Sequence, residues 1–309
     1  MNRPHACARF IASVASTIPS VIPSAVILSA SLGGLGAAHA DCWESFSPDR
    51  LTTTKVRLMD RKMARDLLVF LHGQGEIVLN DVSGKEMNDT KEGLPAYKNK
   101  GHNQFFDAAC NVKWPTPNDK VYLNQTIAGI PFRYWASGDK KRPADRPVGS
   151  PLNNLDTRHA VGLVWFTRSL KEKFPTLSQI YHVGVGNGQG PKTDQHNDGR
   201  AFDFVGAQIG SERFTVLNDW QEQKPQPDNQ RDYPRLPYRL QGTGKTPEAL
   251  FRTVYDFATQ HYCDKADRIT TLGENSQILH PDSPKASERT GHLAHLHIDI
   301  PVTPNPYCH

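Results

Sequence analysis

Residues 290–301 read TGHLAHLHIDIP, which predicts a short strand with one polar and one apolar face. Side chains of a β-strand alternate between the two faces of a sheet, so residues two apart point the same way. His295, His297 and Asp299 therefore share one face, whereas the Leu and Ile residues between and after them share the other and suit a hydrophobic core. Two imidazoles placed in this way can serve one centre.

A second polar stretch, residues 195–204, reads QHNDGRAFDF. His196 and Asp203 lie seven residues apart, and Gly199 allows the chain to turn between them. The run around Asp203 is strand-like, and its two Phe neighbours point to the opposite face. A carboxylate in that setting is costly to bury without a cation or hydrogen-bond donors, so Asp203 is predicted to face a cation.

The two stretches together supply the ligand set of a catalytic zinc ion. Such an ion typically takes three nitrogen or oxygen donors from the protein and leaves a fourth position open. His196, Asp203 and one histidine of the pair 295 and 297 satisfy that count, and the remaining histidine is then available to accept a proton. Zinc polarises a carbonyl and lowers the pKa of nearby water toward about 7, which makes hydrolysis feasible near neutral pH.

This combination resembles the LAS metallopeptidases, which include D-alanyl-D-alanine carboxypeptidases, D,D-dipeptidases and penicillin-insensitive murein endopeptidases. The likeness rests on His-x6-Asp with Gly-x-Ala-x-Asp inside it, followed far downstream by His-x-His, and it covers roughly residues 156–301. The matching residues are His196, Gly199, Ala201, Asp203, His295 and His297. His292 extends the last motif to His-x2-His-x-His, which also looks like the murein-endopeptidase and zinc-carboxypeptidase branches.

The resemblance implies a role for each of these residues. His196, Asp203 and His297 would bind Zn²⁺, and His295 would be the general base. His292 would be a second candidate for that role or a donor to the transition state. The implied activity is hydrolysis of peptide bonds in peptidoglycan stem peptides or cross-links. Asp299 either orients a ligand from behind or faces water.

The sequence departs from the family pattern at two points. Asp194 lies two residues before the first His, where the family usually has Ser. Many members also carry an Arg before the first ligand, where it steadies the developing oxyanion, but residues 182–188 read HVGVGNG. Lys192, Arg200 or an Arg of the N-terminal half could replace it. These departures motivate an alternative function, a non-catalytic exported module that binds the cell wall or a partner and keeps a vestigial or structural zinc site.

Periodicity along the chain predicts an α+β fold, with a small antiparallel sheet and flanking helices that carry the zinc site, plus an N-terminal subdomain. Apolar residues at helical spacing predict helices at 59–71, 157–174 and 246–262. Strands are predicted at 177–185, 201–205 and 295–300, with a strand pair at 125–135 around Gly129. The charged, Pro-containing stretch 139–155 predicts a boundary between an N-terminal subdomain of unknown role (41–150) and an LAS-like zinc peptidase domain (151–309).

Residues 1–40 have the pattern of a signal peptide. Arg3 and Arg9 precede an uncharged run from 10 to 38, and Ala38-His39-Ala40 then has the small-x-small pattern of a cleavage site. A retained membrane anchor is the alternative, although the run is too rich in Ser, Ala and Pro to make a good spanning helix. We therefore expect a periplasmic or secreted chain that begins at Asp41 and has no stable membrane insertion after signal removal.

Cysteine content and charge agree with export. Cys42, Cys110, Cys263 and Cys308 remain after the signal, and an even number in an oxidising compartment predicts two disulfides. Three pairings are possible, of which Cys42–Cys110 with Cys263–Cys308 keeps each bridge within one half of the chain. The formal net charge of +4 falls to +2 when the two Arg of residues 1–40 are removed, and no basic cluster stands out. The composition thus gives no support to nucleic-acid binding, and the expected partner is a peptidoglycan peptide.

Overall fold

The computed structural model describes much of the chain after residue 53. The described residues are 54–80, 112, 114, 120–135, 152–185, 195–220, 245–262, 278–281 and 291–300. The predicted signal peptide, the four cysteines of the predicted disulfides, and both Lys192 and Asp194 lie outside them. Most of the stretch 139–155 does as well, so the division at residue 150 stays a prediction.

Helices form at the three places where apolar residues recur at helical spacing. They are α1 (Arg61–Gly73), α2 (Thr157–Lys173) and α4 (Lys245–Tyr262), and the short α3 (Val216–Asp219) lies between the last two. The side chain of Asp60 accepts a hydrogen bond from Met63 N at 2.7 Å, and that of Asp156 accepts one from Arg158 N at 2.9 Å. Each carboxylate satisfies a backbone donor that the first helical turn leaves unpaired, which fixes where α1 and α2 begin.

The described strands form two sheets. The strands are β1 (Lys120–Val121), β2 (Thr126–Ile127), β3 (Ile130–Tyr134), β4 (Leu155–Asp156), β5 (Leu177–Val185), β6 (Ala201–Ile209), β7 (Glu212–Thr215), β8 (Ile278–Leu279) and β9 (Leu296–Asp299). The larger sheet has the order β2-β3-β5-β6-β9-β8, and β7 also pairs with β6, whereas β1 and β4 form a separate antiparallel pair. Strand β6 is therefore central, because it pairs with β5, β7 and β9.

The mixed fold of helices and sheets is confirmed, but the sheet differs from the expected one. It has seven strands in the described part of the chain, and β3 and β5 run parallel, with Phe132 opposite Ile180. Strands β1, β4, β7 and β8 and helix α3 are short elements that periodicity did not predict. The predicted small antiparallel sheet is therefore confirmed only in part, because β3, from the N-terminal half, joins the sheet beside β5 in the parallel direction.

The hydrophobic core lies between α2 and one face of the sheet. Phe202 and Phe204 of β6 are buried, and their rings lie 5.5 and 5.7 Å from the ring of Phe166 on α2. Alternation along β6 then turns Asp203 to the opposite face.

Among the described helices, none combines the length and the apolar character needed to cross a lipid bilayer.

His159 of α2 makes the stability of the fold sensitive to acid. Its side chain is fully buried, and neither ring nitrogen has a hydrogen-bond partner within the described residues. Burial lowers the pKa of His159 to about 3, whereas an unfolded histidine titrates near 6.5. The contribution of the neutral ring to stability is therefore complete above about pH 6.5 and is lost as the pH falls toward 3.

We expect the wild-type chain to lose about 2 kcal/mol of unfolding free energy through this residue between pH 7.5 and pH 5. His159→Leu should remove that part of the loss, because Leu has no proton to gain. Denaturant unfolding at the two pH values measures the difference. Thr167→Val, on the same helix, is the control, since it removes a buried hydroxyl that does not titrate. An unchanged pH dependence in His159→Leu would contradict the assignment.

Candidate metal centre

Asp203 and His297 face each other across two neighbouring strands. β6 and β9 are antiparallel, and their register places Asp203 directly opposite His297. His297 Nδ1 lies 2.8 Å from Asp203 Oδ1. The apolar neighbours of both residues point into the core on the other face, as the alternation of the sequence predicts.

His196 reaches the same carboxylate from the turn before β6. Its Nε2 atom lies 3.2 Å from Asp203 Oδ2, and its ring centroid lies 5.1 Å from that of His297. One ligand atom from each of His196, Asp203 and His297 lies within 4.8 Å of the others. The structure therefore brings together the three residues that the sequence predicts as metal ligands.

The spacing of these atoms fits a divalent metal ion. Ligand atoms bound tetrahedrally to zinc at 2.0–2.1 Å lie about 3.3 Å from one another. The 3.2 Å from His196 Nε2 to Asp203 Oδ2 agrees with that value, whereas the 2.8 Å from His297 Nδ1 to the other oxygen, Oδ1, is about 0.5 Å shorter. Two imidazoles and one carboxylate are also a donor set that leaves a coordination position open. This group can hold a metal ion, and its geometry alone does not select zinc from other divalent ions.

The charges of the site are balanced by a proton when no metal is bound. Burial acts to raise the pKa of Asp203, but hydrogen bonds with His196 and His297 outweigh it and hold the pKa well below its usual value. Burial acts to lower the pKa of His297, but Asp203 and Asp299 raise it to about 10. His297 therefore carries a proton at neutral pH in the metal-free protein, and a metal ion that binds there must displace it.

The two predicted proton-transfer residues lie beside the three candidate ligands. His295 Nε2 is 3.6 Å from Asp203 Oδ1, and the ring of His292 lies 5.0 Å from that of His295 and 5.6 Å from that of His297. Burial lowers the pKa of His295 to about 4 in the metal-free protein, so its ring is neutral at pH 7. A neutral imidazole has a lone pair that can accept a proton.

Asp299 lies behind His297. Asp299 is 7% exposed to solvent, and its Oδ2 atom is 3.5 Å from His297 Nε2. Of the two predicted environments, burial behind a ligand therefore describes Asp299 better than contact with water. A carboxylate next to the second nitrogen of a ligand histidine favours one orientation of the ring.

Gly184 is a residue of the site that sequence analysis did not identify. It lies on β5 opposite Asp203. A Cβ atom at this position would lie 3.3 Å from His196 Cε1 and 3.4 Å from Asp203 Oδ2. The absence of a side chain at Gly184 therefore leaves the space that the His196 ring occupies over the sheet. The signal in the sequence was a glycine inside a strand, which often marks a close approach of another group.

The turn that carries His196 is fixed to the β1–β4 pair. Gly199 has a φ of 71°, and its carbonyl oxygen accepts a hydrogen bond from Asp156 N at 2.9 Å. Lys120 Nζ donates to the carbonyl oxygen of Asp198 at 2.6 Å. A Cβ atom on Gly199 would lie only 2.0 Å from the carbonyl oxygen of Asn154. The predicted turn at Gly199 thus depends on both a left-handed backbone and the absence of a side chain.

Gly199→Ala should lower the free energy of unfolding by roughly 2–5 kcal/mol, because it adds left-handed strain to an overlap with backbone atoms. Gly75→Ala is the matched control. Gly75 has a similar φ of 74°, but a Cβ atom there would meet nothing within 4 Å. Strain alone should cost this control roughly 1–2 kcal/mol in urea unfolding. Equal losses in the two variants would show that close packing of the His196 turn on β4 contributes nothing.

No family model matches the chain, and neither the curated proteins nor the solved structures gave a significant match. The likeness to the LAS metallopeptidases therefore rests on the residues quoted from the sequence. The chemistry of the site is inferred from its geometry.

Proposed function

We propose that this chain is a zinc-dependent peptidase that hydrolyses peptide bonds in the stem peptides or cross-links of peptidoglycan. The observation that carries the proposal is the convergence of His196, Asp203 and His297, with His295 at 3.6 Å from the shared carboxylate. This is a ligand set with a proton acceptor beside it. The motif resemblance to the LAS metallopeptidases supplies the substrate class, and the predicted signal peptide supplies a periplasmic or secreted location.

Each side chain then has a defined task. A bound zinc ion would supply Lewis acidity that polarises the scissile carbonyl and lowers the pKa of water. His196, Asp203 and His297 would hold the ion. His295, neutral at pH 7, accepts a proton from the attacking water and later gives it to the leaving amine. His292, whose ring lies 5.0 Å from that of His295, is a second candidate for the base or a donor to the developing oxyanion. No covalent intermediate with the protein is required.

Single substitutions separate the ligands from the base. His196→Ala and His297→Ala should lose bound zinc, because each removes one of three ligands. His295→Ala should keep zinc and lose activity by about 10²–10⁴-fold, the usual contribution of a general base. Metal analysis and product analysis on purified muropeptides measure both effects. His261→Ala, near the end of α4, is the control and should change neither. Full zinc occupancy in His297→Ala would contradict the ligand assignment.

The alternative function, a non-catalytic wall-binding module, has one observation in its favour. Arg200, a candidate for the oxyanion-stabilising cation, donates its hydrogen bonds to the protein itself, to Gln195, Asp198 and Ile300. Incubation with purified cell wall distinguishes the two functions. A peptidase generates new amine ends and removes cross-links, whereas a binding module is retained on the insoluble wall without cleavage. Retention without cleavage by the zinc-loaded protein would overturn the proposed activity.

A further inference from the structure

Arg200 connects the two segments that carry the histidine ligands. Its guanidinium Nη1 donates to the carbonyl oxygen of Ile300 at 2.9 Å, three residues beyond His297. Its Nη2 donates to Asp198 Oδ2 at 3.0 Å and to the side-chain oxygen of Gln195. One planar group therefore bonds both sides of the turn around His196 and the end of the strand that carries His297.

The backbone of Arg200 reinforces the same connection. Arg200 N donates to the carbonyl oxygen of Gln195 at 2.9 Å, and Ile300 N donates to the carbonyl oxygen of Arg200 at 3.0 Å. The side chain of Arg200 is 9% exposed. A guanidinium that is nearly buried and bonded to three acceptors of the protein is not positioned to reach a substrate carbonyl. Its contacts instead set where the turn lies relative to β9.

The geometry points to Arg200 as a positioning residue that holds the His196 turn against the strand bearing His297. This inference rests on the metal group of the proposed function and adds a residue that is neither a ligand nor a proton donor. The role requires arginine, because only a guanidinium offers several donors in a fixed plane, whereas lysine offers a single point charge on a flexible stem. Preorganised ligands bind a metal more tightly, because less ordering is left for the binding step.

Arg200→Lys and Arg200→Gln, made in the full chain, test this role with three measurements. Competition with a chelator gives the zinc affinity, which should fall by about 10–100-fold, as it does when a group that orients ligands is lost. The absorption spectrum at saturating Co²⁺ reports ligand geometry and should differ from that of the wild type. Nuclear Overhauser contacts between the His196 and His297 rings, whose centroids lie 5.1 Å apart, should weaken in the metal-free protein.

Arg252→Gln is the matched control, because Arg252 forms a partly exposed ion pair with Glu248 on α4. It should leave all three measurements unchanged. If Arg200→Gln fails to fold, Gln195→Ala and Asp198→Ala each remove one acceptor while Arg200 remains, and each should cause a smaller loss of zinc affinity.

The possible outcomes separate this inference from the proposed function. Zinc affinity within about twofold of the wild type in the Arg200 variants would overturn the positioning role. The role would also be overturned if the variants had a lower free energy of unfolding but the same Co²⁺ spectrum as the wild type. Absence of zinc binding in the wild type would instead overturn the proposed function. In that case the ring contacts in the metal-free protein decide the inference, which fails if they persist in the variants.

Discussion

The carboxylate of Asp203 is the constraint on which the site depends. It lies 15% exposed on a strand whose opposite face packs into an aromatic core. A buried carboxylate is costly unless positive charge and donors surround it. In the metal-free protein a proton held by His297 meets that need, since Asp203 and Asp299 raise the pKa of His297 to about 10. A metal ion would supply the same positive charge. Metal binding at this site would therefore replace the proton on His297 with the metal ion, and the Asp203 carboxylate would be compensated in both states.

Different parts of the fold place the three candidate ligands. The β6–β9 ladder sets the distance between Asp203 and His297, because the two residues are direct partners in the register. His196 lies on a turn, and its position depends on contacts made by Gly199 and Arg200 and on the space left by Gly184. The sheet therefore provides a fixed pair of candidate ligands. The turn provides the third, which is the one most sensitive to changes in its surroundings.

The sequence predicted those parts of the site that follow from local pattern. Alternation around Asp203 and His297 is a property of neighbouring residues, so the polar face and the three candidate ligands could be named from the sequence. The two-residue strands β1 and β4 and the parallel pairing of β3 with β5 could not be, because they depend on contacts between distant segments. The same holds for Arg200. Its charge made it a candidate to steady the oxyanion, and only the structure shows that three of its guanidinium hydrogen bonds go to Gln195, Asp198 and Ile300.

Residues before position 150 support the segments that position His196. Lys120 of β1 donates to the turn that carries His196, and β1 pairs with β4, whose Asp156 donates to the same turn. Strand β3 pairs with β5, which carries Gly184 beneath the His196 ring. The resemblance to LAS metallopeptidases covers roughly residues 156–301, where the chemistry-bearing residues lie. The part of the chain that holds these residues in place is longer, because the position of His196 depends on contacts from the half of the chain in which no motif was recognised.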